Sequence, residues 1–489
     1  MSIFSYQQQL SQAIMYFKFG YFEGSLRICR ILENSGTKPR EASKHLAWLS
    51  RVHLGGNNRN EAFKTTQNAI RSLTQLTGGQ GIAEVALLAA HVGQKEIAEN
   101  GIRKSLETAD AQHGVIVTWH PTALLELAQY SLDKLDDRVT SIKLVNCALG
   151  FRAVFVVLDD VERLAHLLIK LQAPFALWAD WCAIFIRHLS FCTHRARWFA
   201  NDFGDEKAVL WAQQQDDVSE GVLARILQIA PVQLHELLIE IAPHFDGQGF
   251  ADVLRERFPV GGENGGKRAN DEIWYQPDVL RLRYFWHDMI TEGEQSVLCN
   301  GDWSMFNTPT TDYSMSLAQW WRLTESILKR TIAKNLSDLF AANPEWLEWD
   351  LKNLTERVKK RESVFLEKLS DPKKAEKLTL VDLIRILQKC VTSSEDPNEK
   401  VRSGSKLRRE AEQFLNPYQN QLGPLVNRNW MNPLHLTEEN INFFRNRSSH
   451  DAIINIIEGS TGRLLAKRVL DLFFTPVLVK WGFVPVICT

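Results

Sequence analysis

Ala13-Ile14-Met15-Tyr16-Phe17-Lys18-Phe19-Gly20-Tyr21-Phe22-Glu23-Gly24-Ser25-Leu26 reads as two helices meeting at a glycine turn. The spacings of Ala13, Tyr16, Gly20, Ser25 and Leu32 return at Ala86, Ala89, Gly93, Ala98 and Ser105. A looser copy starts at Ala47 and takes in Gly55 and Ala62. Two antiparallel helices pack closely only where small side chains sit at their crossing, and glycine relieves the turn between them. The pattern therefore predicts stacked helical hairpins over residues 1–110. Helical periodicity continues through Pro121–Leu135, Thr140–Leu158, Val161–Leu171 and Ala176–Phe191, which extends the solenoid to residue 200.

The rest of the chain keeps the same period. Apolar residues recur at i, i+3, i+4 and i+7, and alternating Val/Ile/Thr runs are scarce, so an all-α fold is expected. Residues 201–315 read as a helical connecting region. It holds a helix at Ser219–Ala230 with Ser219 as N-cap, a helix from Pro231 to Ile241 and another at Asp278–Ile290, with Gly293–Tyr313 irregular. Residues 316–489 read as a compact helical domain: Leu317–Phe340, Pro344–Leu369, Leu380–Val391, Arg409–Leu415, Glu438–Ile457 and Arg463–Val479.

Composition narrows the class. Hydrophobic content of 45% and charged content of 24% are globular values, which excludes wholesale disorder and collagen-like structure. Cys29, Cys147, Cys182, Cys192, Cys299, Cys390 and Cys488 never form CxxC, which argues against zinc knuckles and a disulfide framework and fits a reducing cytoplasm. No metal and no cofactor is expected. Met1–Ile14 lacks a basic region before its apolar residues, and Ala165–Cys192 and Leu472–Cys488 are interrupted by charges, so neither a secretory signal nor a membrane span is expected. Gly261–Lys267 satisfies GxxxxGK, yet Arg268 stands where a magnesium-binding hydroxyl belongs and Val253–Phe258 is helical and charged rather than a buried strand. A flexible linker is the better reading.

The chemistry concentrates at Phe443-Phe444-Arg445-Asn446-Arg447-Ser448-Ser449-His450-Asp451. Arg followed five residues later by His arises by chance, and Arg40–His45 is a second instance. Only Arg445 is also followed by Asn. Asn446 and His450, four apart, share a helical face, with Arg445 in the same turn. His titrates near neutrality and moves protons; Arg holds a phosphate bidentately and meets charge developing on it. Asn446 orients the imidazole or the phosphate. One Arg–His set is sparse for acid–base work, so two copies facing across a twofold axis, a homodimer, are expected.

Two resemblances follow from these residues. The repeat region resembles tetratricopeptide repeats, Gly20-Tyr21-Phe22-Glu23 matching the inter-helix turn, with Ser25 in place of the usual alanine and an insertion at Gly55–Asn60. Arg445-Asn446-Arg447-Ser448-Ser449-His450 resembles the RNxxxH motif of HEPN-domain ribonucleases of toxin–antitoxin, CRISPR-associated and antiphage systems. That resemblance covers Ser316–Thr489 and includes Trp320-Trp321-Arg322-Leu323-Thr324-Glu325 in the long first helix. It implies a helical bundle that dimerises into a metal-independent endoribonuclease acting on RNA, with Arg445, Asn446 and His450 catalytic and Glu325 supporting. The N-terminal repeats would then bind a regulating or targeting protein partner. Departures are the longer Thr392–Met431 insertion and Ser448-Ser449 in place of small apolar residues. The alternative is a non-catalytic repeat scaffold with an inactive HEPN dimerisation module, in which Arg445 and His450 brace a bundle helix.

Other clusters read as structural. His188 and His194 sit on an apolar segment. Asp159-Asp160-Glu162 and Asp202-Asp205-Glu206 read as solvated helix ends, and Trp178, Trp181, Trp320, Trp321, Trp346 and Trp349 as core. Arg357-Lys359-Lys360-Arg361, Lys373-Lys374 and Arg408-Arg409 fit an RNA-tracking surface or a solvated face equally. The net charge of −1 hides two opposed parts: residues 316–489 carry 27 Lys and Arg against 21 Asp and Glu, a net of +6, and residues 1–315 carry −7.

Overall fold

The computed structural model describes residues 6–34, 41–54, 81–111, 121–150, 158–175, 177–185, 188, 204–231, 234–239, 256, 272–307, 312–391, 405–426, 444, 445, 448 and 453–480. Among these the fold is all-helical, with no strand. The chain divides into an N-terminal unit, Met1–Asp288 with Val486–Thr489, and a C-terminal unit, Met289–Pro485. No described helix is long and apolar enough to cross a membrane.

The N-terminal unit is built from hairpins. Helices α1 (Tyr6–Lys18) and α2 (Phe22–Asn34) form the first; α3 (Glu41–Leu54) follows; α4 (Ile82–His91) and α5 (Lys95–Ala111) pair, as do α6 (Pro121–Leu135) and α7 (Arg138–Gly150), and α8 (Leu158–Lys170) precedes helical residues 177–185. The leading helices α1, α3, α4, α6 and α8 each touch the next, so the hairpins stack in chain order. The turns explain the glycine spacing. Gly20 and Gly93 adopt left-handed φ of 75° and 79°. Around Gly20, Tyr21 N–H donates to Tyr16 O at 2.9 Å and Gly20 N–H to Phe17 O at 2.9 Å; Gln94→Ala89 and Gly93→Ala90 repeat the pair at 2.8 and 3.2 Å. These are Schellman closures, which satisfy carbonyls that a helix end leaves orphaned. Gln172, with φ 49°, closes α8 in the same way through Ala173→Leu168.

Small residues mark the crossings. Ser25 Oγ donates to Ala13 O at 2.8 Å, and Ser141 Oγ to Ala128 O at 2.9 Å, each a second helix binding the first. A Cβ on Gly101 would lie 2.7 Å from Ala86 Cβ, and one on Gly150 would run into the Leu282 carbonyl of α10 (Pro277–Arg283). Ala13, Ala47, Ala86, Ala89 and Ala98 are fully buried.

Two expectations are corrected here. Ser219 is not an N-cap. It lies inside α9 (Glu206–Ile229), whose N-cap is Asp205, accepting from Lys207 N–H and Ala208 N–H. Asp160 is not solvated either. It is 1% exposed, accepts from Thr122 Oγ1 at 2.5 Å and lies 3.5 Å from Arg163.

The C-terminal unit packs α11 (Glu292–Asn307), α12 (Ser314–Leu328), a π-helical turn at Lys329–Ala333, α13 (Lys334–Ala341), α14 (Pro344–Asn353), α15 (Glu356–Arg361), a second π turn at Val364–Leu369, α16 (Pro372–Ala375), α17 (Leu380–Val391), α18 (Lys406–Leu415), α19 (Gln419–Val426) and α20 (Ile456–Lys480). Helix α12 is the centre, packed on α11 and α20. Three helices open with reciprocal capping boxes: Thr291 with Glu294, Thr379 with Asp382, and Asn455 with Glu458. The first of these makes Glu292–Asn307 a helix where an irregular stretch was expected. The expected helix Pro344–Leu369 breaks at Leu354, which is extended. The break lets Asp350 turn inward and accept from Ser405 Oγ, Lys406 N–H and Leu407 N–H at 2.8, 2.6 and 3.1 Å, capping α18.

Buried charges lock the unit. Arg463 of α20 and Asp302 of α11, both fully buried, approach to 3.4 Å, and the Arg463 guanidinium carbon lies 5.2 Å from the Trp320 ring centre of α12. Glu362, also buried, is met by Arg361, Lys389 and Arg408 at 3.0, 3.4 and 3.3 Å.

Two measurements test this packing. Burial pushes the Asp160 carboxyl up to about 7, against the opposing pull of Thr122 and Arg163. A carboxyl raised in the fold binds its proton more tightly there than in the unfolded chain, so stability falls as pH rises from about 4 to 7. Asp160→Asn, which keeps an acceptor for Thr122, is expected to flatten that slope in thermal unfolding and to raise the transition of the N-terminal unit at pH 8. In the C-terminal unit Asp302→Ala removes the carboxylate facing a buried guanidinium and is expected to cost about 3–5 kcal/mol in denaturant unfolding. Asp302→Ala/Arg463→Met should recover most of that loss.

Candidate functional site

Helix α12 exposes one narrow polar stripe. Trp320, Trp321, Leu323, Thr324, Ile327 and Leu328 face the core, while Arg322 is exposed and Glu325 and Lys329 are half-buried. Arg322 and Lys329, seven apart, fall on one helix face with Glu325 between them. The segment carrying the sequence motif is tied to this helix by Phe444, which is 3% exposed. A Cβ on Gly462 would lie 2.9 Å from Phe444 and 2.8 Å from Leu317, so glycine on α20 leaves the room that Phe444 fills. A second tie comes from Asp312, which accepts from Ile454 N–H and Ser314 N–H at 3.0 Å each, while Tyr313 N–H donates to Ile454 O at 2.8 Å. Burial raises the Asp312 carboxyl, but these donors outweigh it and hold it below the ordinary aspartate value.

Directly after Phe444, Arg445 reaches α12. Its Nη2 donates to Glu325 Oε2 at 3.0 Å, and Lys329 Nζ meets Glu325 Oε1 at 2.8 Å. The carboxylate thus lies between two cations, one per oxygen. Ser448 Oγ donates to Arg445 O at 2.7 Å. Arg445 is 33% exposed and Glu325 17%, so the carboxylate orients a guanidinium that solvent partly reaches. A guanidinium presents a planar set of N–H donors, the kind of group that pairs with an anion bidentately.

Of the sequence-named residues, Arg445 and Glu325 are brought together, 120 positions apart in the chain. Asn446 and His450 lie outside the described residues, as do Arg40, His194, Asp202 and the Gly261–Lys267 loop. Lys329 was not singled out from the sequence, although its i+4 spacing from Glu325 is the signal for such a pair. The other clusters resolve mostly as structure. His188, Trp178, Trp181, Trp320 and Trp321 are buried, whereas Trp346 is half-buried near Lys406 and Trp349 is 40% exposed. Arg361 and Arg408 serve buried Glu362, so the basic run is partly committed inside the fold. Lys360, Lys373 and Lys374 remain exposed. Among the described residues no group of three or more His, Cys, Asp and Glu is placed to hold a metal ion.

Comparison with protein families, with curated proteins and with solved structures gives no match to this chain.

The exposure of the Arg445–Glu325 pair sets an expectation for stability. Exposed ion pairs contribute up to about 1 kcal/mol, so Glu325→Ala should shift the thermal transition of the C-terminal unit only slightly. Asp312→Ala leaves two backbone donors without their partner and should cost about 1–3 kcal/mol. A large loss in Glu325→Ala would make the pair a structural brace.

Proposed function

We propose that the C-terminal unit is a metal-independent endoribonuclease of the HEPN kind, acting on RNA as a homodimer in the cytoplasm. Its setting would be toxin or antiviral defence, with the tetratricopeptide-like N-terminal hairpins as the surface that senses or targets. The observation that carries the reading is the Arg445–Glu325 pair: the first residue of the RNxxxH motif is held by the very position on the first bundle helix that the resemblance names.

The chemistry needs a base for the ribose 2′-hydroxyl, an acid for the departing 5′-oxygen, and positive charge at the phosphate. His450 of one protomer takes the 2′-proton as that oxygen attacks phosphorus. His450 of the second protomer donates a proton to the 5′-oxygen as its bond to phosphorus breaks. The products are a 2′,3′-cyclic phosphate and a 5′-hydroxyl. Arg445 offers two N–H donors to the non-bridging oxygens, where charge grows in the transition state. Glu325 orients that guanidinium, and Lys329 and Arg322 extend the positive stripe along α12 toward neighbouring phosphates. Asn446 positions the imidazole or the scissile phosphate.

The scaffold alternative uses the same ion pair, since Arg445 and Glu325 also make a plausible brace between segments. The two separate on activity. His450→Ala and Arg445→Ala are expected to fold as wild type by circular dichroism, and to lose RNA cleavage and growth arrest on overexpression by at least a hundredfold. RNA cleavage by His450→Ala at the wild-type rate sinks the catalytic assignment, and a wild-type protein that cleaves no RNA and arrests no growth favours the scaffold.

A further inference from the structure

Helix α9 meets both the first hairpin and α8. Its N-cap residue Asp205 meets the first hairpin: Tyr16 Oη donates to Asp205 Oδ2 at 2.8 Å, and Arg27 of α2 pairs with the same oxygen. One and a half turns on, the Trp211 ring stacks on Tyr21 with centroids 5.0 Å apart and planes 25° apart. Near the other end, Arg225 binds Glu162 of α8 in a fork, Nε and Nη2 to Oε1 at 3.0 and 2.8 Å and Nη2 to Oε2 at 3.0 Å. A single helix therefore links the start of the stack to α8. A helix of 24 residues spans roughly 36 Å, comparable to the four steps of about 8–10 Å between successive leading helices. Its two anchored ends and this length fit a helix that runs along the stack.

Among the described side chains α9 buries Ala208, Ala212, Val222, Leu223 and Ile226, while its larger Leu210 and Ile229 are 58% and 40% exposed. The clips differ: at the N-cap Asp205 is 14% exposed and Tyr16 fully buried beside Arg27 at 35%, whereas Arg225 is 55% exposed, the range in which an ion pair contributes little and is screened by salt. Among its described side chains α9 is held by these apolar contacts, the Trp211–Tyr21 stack and the two clips; its release uncovers the Tyr21 ring face and the Tyr16 hydroxyl but leaves the Schellman turns and Ser–carbonyl bonds of the hairpins in place.

We propose that α9 is a built-in occupant of a helix-docking surface, and that a partner helix with an acidic N-cap and an aromatic residue six positions later takes its place. The seat states the partner's chemistry. Tyr16 and Arg27 receive a carboxylate at a helix N-terminus, Tyr21 offers a ring face, and Glu162 receives a guanidinium about five turns further on. Binding such a partner releases α9, which couples occupancy of the stack to the stretch of chain after residue 230. This inference rests on the N-terminal unit alone and stands whether or not the C-terminal unit cleaves RNA.

The test uses the full-length protein and a labelled synthetic peptide of residues 203–230 as probe, read by fluorescence anisotropy. In the wild type the built-in helix competes. Arg225→Glu removes the exposed C-terminal clip and repels Glu162, and is expected to bind the peptide at least tenfold more tightly. Glu162→Arg/Arg225→Glu restores the clip with reversed charges and should return binding to the wild-type level. A peptide carrying Asp205→Ala should lose at least tenfold in affinity for the Arg225→Glu protein. Hydrogen exchange supplies an independent reading, with α9 amides opening faster than those of α6 and α7 in the wild type and faster still in Arg225→Glu. Peptide binding that ignores both Arg225→Glu and the Asp205→Ala change, or α9 amides that exchange in step with α6 and α7 in both proteins, overturns the proposal.

Discussion

The buried contact between Asp302 and Arg463, with Trp320 beside the guanidinium, sets the frame of the C-terminal unit. Two charges withdrawn from water are tolerated only when they meet, so α11, α12 and α20 have a single acceptable register. Glycines allow the close approach this demands. A Cβ on Gly301 would press on Trp320, and one on Gly459 on Tyr313. Once α20 is fixed, Gly462 seats Phe444, and the residue after Phe444 falls beside Glu325 on α12. The half-exposed candidate site is thus positioned by a fully buried pair elsewhere on the same three helices.

The N-terminal unit solves its packing differently. Its leading helices meet through alanine and glycine, its turns close through backbone hydrogen bonds, and its buried hydroxyls satisfy neighbouring carbonyls. The ionisable row on those helices, Glu126 with His91 and Arg163 and then Asp160 with Thr122, is kept at partial burial or made up of short, shared bonds. Burial raises the Glu126 carboxyl, but His91 and Arg163 outweigh it and hold it low, while Asp160, deeper, is pushed up. Two carboxylates on adjacent helices, within reach of the same arginine, thereby titrate far apart. Depth decides the sign, because desolvation falls on whichever acid has less access to water.

Much of this was legible in the sequence where a rule is local. Gly20 and Gly93 announced left-handed turns because only glycine takes that φ without strain, and the alanine spacing announced close crossings. The turn at Gln172 uses the same closure with a side chain that carries no such signal, and Asp136, φ 53°, lies eight residues after Ala128 where Gly20 lies seven after Ala13. The helix Glu292–Asn307 was hidden because Gly293 and Gly301 weaken its helical propensity, although Thr291 and Glu294 were a readable capping box. Glu325 entered the site by resemblance, and Lys329 was readable from its i+4 spacing. That Arg361, Lys389 and Arg408 would converge on Glu362 was not legible, because the burial of Glu362 arises from helices 27 and 46 residues away.

Charge follows the same division between what a sum shows and what a fold spends. The +6 of residues 316–489 suggests a surface that attracts phosphates, yet many of those cations already have work inside the fold. Arg330 serves Glu294, Lys368 serves Asp382, Lys467 serves Asp471, and Arg361, Lys389 and Arg408 surround Glu362. A cation whose carboxylate is within hydrogen-bond distance contributes little field beyond a Debye length of about 8–10 Å. At the candidate site Arg445 and Lys329 both meet the carboxylate of Glu325, and Arg322 lies exposed one turn away. The sum of +6 therefore overstates the field that reaches solvent, and the pairing of each cation decides how much of it remains.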